Sequence, residues 1–277
     1  MQAAAHDPVA IALAEDIGSG DLTARFFVEQ RPGSARLFAK EAAVAAGVET
    51  AAEVFRRVDP TTRVEVLRAS GSRLAPGDSV LRVEGPLPAL LTAERVALNF
   101  LQHLSGIATL TQRFVDAVAG TGARILDTRK TIPGLRALEK AAVLAGGGCN
   151  HRMGLYDMVM VKDNHLAAGT SPSQLQAAIF RFKEAHPAVR VELEADTLTQ
   201  VETFLSLSGV DVLLLDNMSL AELRSAVALT AGRIPLEASG GVTLETVGAI
   251  AATGVDFISA GALTHSARAV DFSMELF

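Results

Sequence analysis

The second half of the chain alternates between short apolar runs and longer amphipathic segments. From Arg124 onward, the segments that read as strands are RILD, DMVMV, VRVELE, DVLLLD, IPLEAS and DFISA. Segments such as Ser173 to Ala185 and Leu220 to Ala231 separate them and have the pattern of amphipathic helices. This regular alternation of strand and helix predicts a parallel sheet whose strands are joined by helical crossovers.

The ends of four predicted strands are regularly spaced. Glu194, Asp216, Ser239 and Gly261 are separated by 22, 23 and 22 residues, which is the length of one repeated βα unit. Repeated βα units that close on themselves form a barrel with its active site at the C-terminal strand ends. An open, doubly wound sheet is the competing architecture. The count of clear units falls short of eight, so any barrel is expected to be incomplete.

The first hundred residues show no such alternation and predict a small α+β layer. Helices are expected at 9–15 and 47–58, and strands at 34–40, 62–68 and 79–83. Residues 88–119 predict a long helical region that Ser105-Gly106 breaks into two helices. The last segment, AVDFSMEL, is expected to return to this layer as a strand. The predicted domains are therefore 1–107, joined by 267–277, and an α/β barrel over 108–266.

Composition narrows the class of protein. The chain has 277 residues, 49% of them hydrophobic, and a formal net charge of −6, which argues against a broad nucleic-acid-binding surface. The single cysteine, Cys149, excludes an intrachain disulfide and a cysteine metal cluster, and we expect it to be a small buried residue. The N-terminus lacks a signal-peptide layout, and no apolar stretch approaches the roughly 20 residues of a membrane span. We therefore expect a cytoplasmic protein with no membrane partner.

Cations are concentrated in one region of this acidic chain. The run from Asp127 to His165 contains Arg129, Lys130, His151, Arg152 and Lys162, besides His165 itself. Fixed cations inside an acidic protein imply a small, highly charged anion as ligand. Arginine offers a planar fork of donors and lysine a point charge, which suits carboxylates and phosphates. A solvated basic loop would explain Arg129 and Lys130 alone, but not the recurrence of charge at Arg152 and Lys162.

Two features of this run leave alternatives open. Three glycines, 146–148, precede His151 and favour close approach of the backbone to a ligand, although a helix C-cap followed by a connector is the other interpretation. Lys162 follows a strand and is a Schiff-base lysine, a phosphate ligand or half of an internal ion pair. The sequence does not rank these three roles.

Carboxylates and glycines mark the remaining strand ends. Glu194 and Asp216 are suited to Mg²⁺, which prefers one or two carboxylates together with phosphate oxygens and water, or each caps the following helix. The glycine turns in EASGGV and SAGALTH predict phosphate binding through free N–H groups after the last two strands, with His265 close behind.

Ordered segments along nearly the whole chain resemble the quinolinate phosphoribosyltransferase family, also called nicotinate-nucleotide pyrophosphorylase (carboxylating). The segments that carry the resemblance are EDIGSGDLT, ERVALNFLQHLSGIAT, DTRKTIPGLRALEK, GGGCNHRMGLYDMVMVKDNH, VELEADTL, LLLDNM, EASGGV and SAGALTHS. Together they are highly specific, whereas any single one is not. The only evident departure is Cys149, which stands where a small apolar residue is more usual.

The resemblance implies a reaction and an assembly. Quinolinate and phosphoribosyl pyrophosphate would give nicotinate mononucleotide, pyrophosphate and CO₂ in NAD biosynthesis, with Mg²⁺ as cofactor. The implied fold is an incomplete α/β barrel with an N-terminal α+β sandwich domain. The implied assembly is a homodimer with shared active sites, in which Arg95 enters the partner's site.

The resemblance also assigns roles to residues. The implied quinolinate contacts are Arg129, His151, Arg152 and Lys162, with Lys130 beside them. Glu194 and Asp216 match the positions that hold the metal and the ribose. The implied phosphate positions are Ser239, Gly240, Gly261 and His265. The residues expected to be catalytic are Lys130, His151, Lys162, Glu194 and Asp216.

Two other functions compete with this one. A phosphoribosyltransferase of the same fold with another acceptor, such as the molybdenum-associated paralogue group, is disfavoured because DTRKTIPG, NHRMGLYD and VKDNH follow the quinolinate pattern. An enzyme that uses nicotinate would need one carboxylate clamp rather than two. A non-catalytic anion sensor would be favoured by loss of Lys162 or of the metal carboxylates, and all of these residues are present.

Overall fold

The computed structural model of the chain describes residues 7–162 and 171–277, which form two compact units. The first unit comprises 1–112, 131–147 and 263–277, and the second comprises 113–130 and 148–262. The units therefore alternate along the chain instead of meeting at one boundary. The domain boundaries expected from the sequence stay a prediction.

The first unit contains an antiparallel sheet and most of the helices of the N-terminal region. Its helices are α1 (Pro8–Ile17), α2 (Leu22–Phe27), α3 (Val48–Val58), most of α4 (Leu87–Ala117) and α5 (Arg136–Ala145). Its strands are β1 (Pro32–Ala39), β2 (Ala43–Val44), β3 (Arg63–Val66), β4 (Arg73–Leu74), β5 (Ser79–Pro86) and β12 (Phe272–Leu276). The main sheet has the order β12-β1-β5-β3, and β2 pairs with β4. The expected return of the C-terminal segment is confirmed, because β12 pairs antiparallel with β1.

Helix α4 is one continuous helix of 31 residues, so the expected break at Ser105-Gly106 is wrong. Ser105 accepts a hydrogen bond from the Ala46 N–H at 3.0 Å and donates one to its carbonyl at 3.2 Å. A Cβ atom at residue 106 would lie 2.3 Å from the Arg268 carbonyl oxygen. The two small residues therefore allow neighbouring backbone to pack closely against an unbroken helix.

The second unit contains the parallel sheet and its helical crossovers. Its strands are β6 (Arg124–Leu126), β7 (Val159–Val161), β8 (Val191–Ala195), β9 (Val212–Asp216), β10 (Leu236–Ser239) and β11 (Phe257–Ser259). Its helices are α6 (Pro172–Ala185), α7 (Leu198–Leu205), α8 (Leu220–Thr230) and α9 (Val247–Ala251), and α10 (Ala262–His265) begins at its end. The strand order is β6-β11-β10-β9-β8-β7, and Cys149 forms a parallel bridge with Leu126 beyond β6. This is an incomplete α/β barrel, as the sequence predicted.

Local sequence explains why each crossover helix begins where it does. Ser171, Thr197 and Ser219 each form a capping box with a Gln or Glu three residues later. Such reciprocal bonds satisfy N–H groups that the first turn of a helix leaves without partners. All five residues of β8 are buried, as are the first four of β9, which is typical of parallel strands covered on both faces. The strand ends are thereby held at one edge of the sheet.

Among the residues that the structure describes, no helix has both the length and the apolar character needed to cross a bilayer.

Candidate active site

A cavity of about 410 Å³ lies at the C-terminal ends of the parallel strands, within the second unit. Every strand of the barrel contributes to it, directly or through the loop that follows the strand. The lining residues are Thr128, Arg129, Lys130, His151, Arg152, Met160, Lys162, Glu194, Leu214, Asp216, Asn217, Glu237, Ser239, Gly240, Gly241 and Ser259. The sequence predicted this edge of the sheet as the site.

Cations lie on the side of the cavity formed after β6 and before β7. Arg129 and Lys130 follow β6, and Lys130 N–H donates to Thr128 Oγ1 at 3.0 Å. The Arg152 guanidinium donates to the Met158 carbonyl at 3.3 Å and contacts Met160 Sδ at 3.6 Å. Burial and the adjacent charge of Arg129 lower the pKa of Arg152, so the two guanidinium groups are close to one another. An anion placed between them would relieve this repulsion.

Lys162 lies at the end of β7 and forms an ion pair with Glu194 on β8. The ammonium side chain is 40% exposed, whereas the carboxylate side chain is 8% exposed. Of the three roles left open for Lys162, the ion pair is thus present in the structure. Because its ammonium group also faces the cavity, the same lysine is available to an anionic ligand.

Three carboxylates lie close together, and two of them, Glu194 and Asp216, line the cavity. Oxygen atoms of Glu194, Asp196 and Asp216 all lie within 4.8 Å of one another, which suits a divalent cation with oxygen ligands. The helix-capping alternative is wrong for both predicted residues, because Thr197 caps α7 and Ser219 caps α8. Glu194 and Asp216 are therefore left to face the cavity.

The loops after β9 and β10 fix the direction of Asp216. Asn217 has a φ of +53° and donates from Nδ2 to Asp216 Oδ2 at 2.7 Å, while its own N–H donates to the Ser239 carbonyl at 2.9 Å. Gly240 has a φ of +96°, and a Cβ atom there would lie 2.2 Å from Asn217 Oδ1. Gly240 thus allows the two loops to touch. After this glycine turn, α9 begins only at Val247.

His151 lies at the floor of the cavity in a cluster with two buried glutamates. Its Nε2 atom is 3.2 Å from Glu192 Oε2 and 3.5 Å from Glu237 Oε2. Burial alone would lower the pKa of His151, but contacts with Glu192 and Glu237 outweigh it and raise this pKa to about 9. Burial also raises the pKa of Glu192. The Arg152 N–H donates to His151 Nδ1 at 2.6 Å, so in the neutral ring the proton is on Nε2 and faces the two glutamates.

Three predicted site residues do not line this cavity. Gly261 follows β11 outside the lining. Arg95 is exposed on α4, and His265 is exposed at the end of α10, where Nδ1 lies 2.7 Å from Ser266 Oγ. Arg95 and His265 both belong to the first unit. His165, in the basic run, lies outside the described residues.

The glycine run and the cysteine have roles away from the cavity. Gly146 is the C-cap of α5, and a Cβ atom there would lie 2.4 Å from the Ala108 carbonyl oxygen, so the predicted approach to a ligand is wrong for this glycine. Gly147 has a φ of +85° just after the cap. Cys149 is half-buried, and its Sγ lies 2.9 Å from an Arg124 guanidinium nitrogen, outside the cavity lining.

Sequence reasoning missed the buried acids beneath the cavity. Asp127, Glu192 and Glu237 are 0%, 1% and 2% exposed. One signal was available for Glu192, because residues two apart on a strand share a face and Glu194 was already assigned to the site. The same signal was available for Glu237, which lies two residues before the assigned Ser239 on β10.

The sequence is similar to one protein family over both parts of the chain. Residues 107–275 match the C-terminal domain of quinolinate phosphoribosyl transferase, and residues 21–105 match its N-terminal domain. A Bacillus subtilis protein named probable nicotinate-nucleotide pyrophosphorylase (carboxylating) is 42% identical over 95% of this chain and 90% of its own length. The chloroplastic nicotinate-nucleotide pyrophosphorylase (carboxylating) of Arabidopsis thaliana is 44% identical over 97% and 81% of the two chains.

Solved structures agree with the sequence relatives. NadC from Streptococcus pyogenes superimposes with a TM-score of 0.90 at 42% identity, covering 97% of this chain and 95% of that one. The nicotinate-nucleotide pyrophosphorylase of Francisella tularensis gives the same TM-score at 35% identity, covering 97% and 94%. Family matches over both parts of the chain, close relatives and the shared fold lead to one conclusion: the chain belongs to the quinolinate phosphoribosyl transferase family.

Proposed function

We propose that this protein transfers the phosphoribosyl group of phosphoribosyl pyrophosphate to quinolinate and releases CO₂, giving nicotinate mononucleotide and pyrophosphate. The observation that carries the proposal is that one cavity contains both cations and carboxylates. Its lining includes the cations Arg129, Lys130 and Arg152, called the basic side here, and the carboxylates Glu194 and Asp216, called the acidic side. An oxygen of Asp196 lies within 4.8 Å of oxygens of these two carboxylates. A dicarboxylate suits the basic side, and a metal-bound sugar diphosphate suits the acidic side.

The basic side binds and orients quinolinate. Arg129 comes from the loop between β6 and α5 and Arg152 from the segment between α5 and β7, so their guanidinium forks can hold two carboxylates of one planar ring in a fixed direction. Lys130 and Lys162 add positive charge to the lining of the same cavity. Clamping the ring directs its nitrogen at the anomeric carbon of the sugar and lowers the entropic part of the barrier.

The acidic side fits a magnesium ion. Glu194, Asp196 and Asp216 are hard oxygen donors close enough to share one cation, and Asn217 already directs Asp216 into the site. When bound, Mg²⁺ would neutralise the diphosphate as it leaves. Lys162, which is ion-paired with Glu194, borders both the carboxylates and the basic residues of the cavity.

Bond changes follow from this placement. The ring nitrogen forms a bond to the anomeric carbon as the bond to the diphosphate oxygen breaks. The nitrogen then carries a positive charge. Loss of CO₂ from the adjacent ring carbon leaves an electron pair that this charge stabilises, and a proton takes the place of CO₂. The cations that held the carboxylates remain as the electrostatic environment of both steps.

Ser239, Gly240, Gly261 and His265 are proposed to bind phosphate groups, and Arg95 is proposed to act in the site of a partner subunit in a homodimer. The exposed position of Arg95 on α4 leaves it accessible for such a role. A cytoplasmic location likewise remains a proposal.

A direct assay tests the reaction. The purified protein is incubated with phosphoribosyl pyrophosphate and either quinolinate or nicotinate, with Mg²⁺ or with a chelator, and CO₂ and nicotinate mononucleotide are measured. We expect both products only with quinolinate and Mg²⁺. Turnover of nicotinate at a similar rate would favour another acceptor, and quinolinate binding without products would favour an anion sensor.

A further inference from the structure

The floor of the cavity carries an arrangement that an anion-binding site would not be expected to contain. Glu192 and Glu237 are 1% and 2% exposed, and Glu237 itself lines the cavity proposed for quinolinate. Both carboxylates face Nε2 of His151, and the histidine side chain is only 7% exposed. Burying carboxylates is costly unless they are paired, and acidic groups beneath an anion raise that cost. Their presence therefore calls for a role.

A continuous set of contacts joins these carboxylates to Arg152. The imidazole Nε2 faces Glu192 and Glu237, and Nδ1 accepts from the Arg152 N–H at 2.6 Å. On the other side, the fully buried Asp127 accepts from the His151 N–H at 2.8 Å. The backbone N–H groups of His151 and Arg152 are therefore both bound by side chains, those of Asp127 and His151.

We propose that Glu192 and Glu237 are positioning residues that act through His151 to hold Arg152 in the direction needed to bind quinolinate. The proposal rests on the proposed function, because it concerns the same dicarboxylate clamp. His151 acts here mainly as the connecting group. The carboxylates fix the rotation of its ring, and the ring fixes the N–H of the next residue.

The same three side chains have the spacing of a metal site, since their ligand atoms lie within 4.8 Å of one another. The contact of Nδ1 argues for positioning instead. A histidine whose Nδ1 accepts a hydrogen bond carries its proton on Nε2 in the neutral form, so that proton faces the glutamate oxygens, at Nε2–O distances of 3.2 and 3.5 Å. Coordination through Nε2 would require removing that proton as well.

Neutral variants of the glutamates test the proposal. Glu237→Gln and Glu192→Gln keep size and hydrogen-bonding capacity but remove the charge that orients His151. We expect each to raise the quinolinate KM and the calorimetric quinolinate Kd about tenfold, with the KM for phosphoribosyl pyrophosphate changed less than about twofold. In an Arg152→Lys background, the same substitutions should add little, because the effect passes through Arg152.

Asp211→Asn is the matched control. Asp211 precedes β9, accepts from Lys183 Nζ and the Val191 N–H, each at 2.6 Å, and does not line the cavity. Its loss should lower the melting temperature without selective loss of quinolinate affinity. Melting curves establish that each variant is folded, and Glu192→Gln carries the test if Glu237→Gln does not fold.

Equal weakening of both substrates, or full additivity with Arg152→Lys, would overturn the inference. Wild-type protein that binds quinolinate while both glutamine variants bind it equally well would also overturn it and leave the proposed function intact. Absence of quinolinate binding by the wild type would instead remove the proposed function itself.

Discussion

Arg152 illustrates how the candidate site prepares a cation for an anionic ligand. Burial and the nearby charge of Arg129 lower its pKa, yet a guanidinium group stays protonated at any physiological pH. The site therefore holds two like charges at close range. A bound dicarboxylate would relieve that repulsion and receive charge-assisted hydrogen bonds from both groups.

Removal of this side chain should weaken quinolinate binding strongly. In Arg152→Ala, one carboxylate of quinolinate would lose its charged partner, and we expect the calorimetric Kd to rise about 10- to 100-fold. Arg224→Ala, which removes an exposed arginine from α8, serves as the control for a general change in charge. Near-normal quinolinate affinity in Arg152→Ala would exclude Arg152 from the clamp.

At the scale of residues, the sequence revealed the charged groups at the ends of strands but not the acids deeper inside them. Arg129, Lys162, Glu194 and Asp216 could be predicted because the C-terminal ends of parallel strands share one edge of the sheet. The position of Glu237, two residues before Ser239, indicates the face of the strand on which it lies, but not that its partner is His151. Only the three-dimensional arrangement shows which contact it makes.

At the scale of elements, the loops after β9 and β10 touch at Gly240 and Asn217 and leave no room for an added Cβ atom. Gly240→Ala would add strain at a φ of +96° and would force the Asn217 side chain away from Asp216. We expect a stability loss of about 1–3 kcal/mol together with a higher KM for phosphoribosyl pyrophosphate.

Gly120→Ala separates the loss of stability from the rise in the KM for phosphoribosyl pyrophosphate. Gly120 has a φ of +84°, but a Cβ atom there would meet nothing within 4 Å. This variant should show the loss of stability, measured by denaturant unfolding, while its KM values stay near those of the wild type. Equal KM values in the Gly240 and Gly120 variants would show that contact between the two loops does not matter for the substrate.

The strands of the barrel were predictable, whereas the behaviour of small residues was not. Apolar runs with regular spacing identified all six parallel strands to within a few residues. Ser105-Gly106 was expected to break a helix, and Gly146 left a ligand loop and a helix C-cap as alternatives, yet both sites serve close packing. Glycine permits a turn or a close approach equally well, and the partner that decides between them is distant in sequence.

At the scale of the whole molecule, the proposed homodimer makes a prediction about mixed subunits. If Arg95 completes a partner's site, mixing Arg95→Ala subunits with Arg152→Ala subunits should restore activity, because some heterodimers would contain one intact site. Activity is measured after the two inactive variants are denatured and refolded together, with each refolded alone as the control. Mixtures as inactive as the separate variants would contradict a shared site.

The path of the chain through its two compact units has a consequence for recombination. Segment 131–147 belongs with the first unit although 113–130 and 148–262, on either side of it, belong with the second. Within that segment, Glu139 is fully buried, lies 2.8 Å from His103 Nε2 and accepts from the Ile132 N–H at 3.2 Å. A chimera that exchanges everything before residue 106 with a relative would separate His103 from Glu139. The relative that supplies the exchanged segment must therefore be compatible with residues 131–147 as well as with the N-terminal sheet.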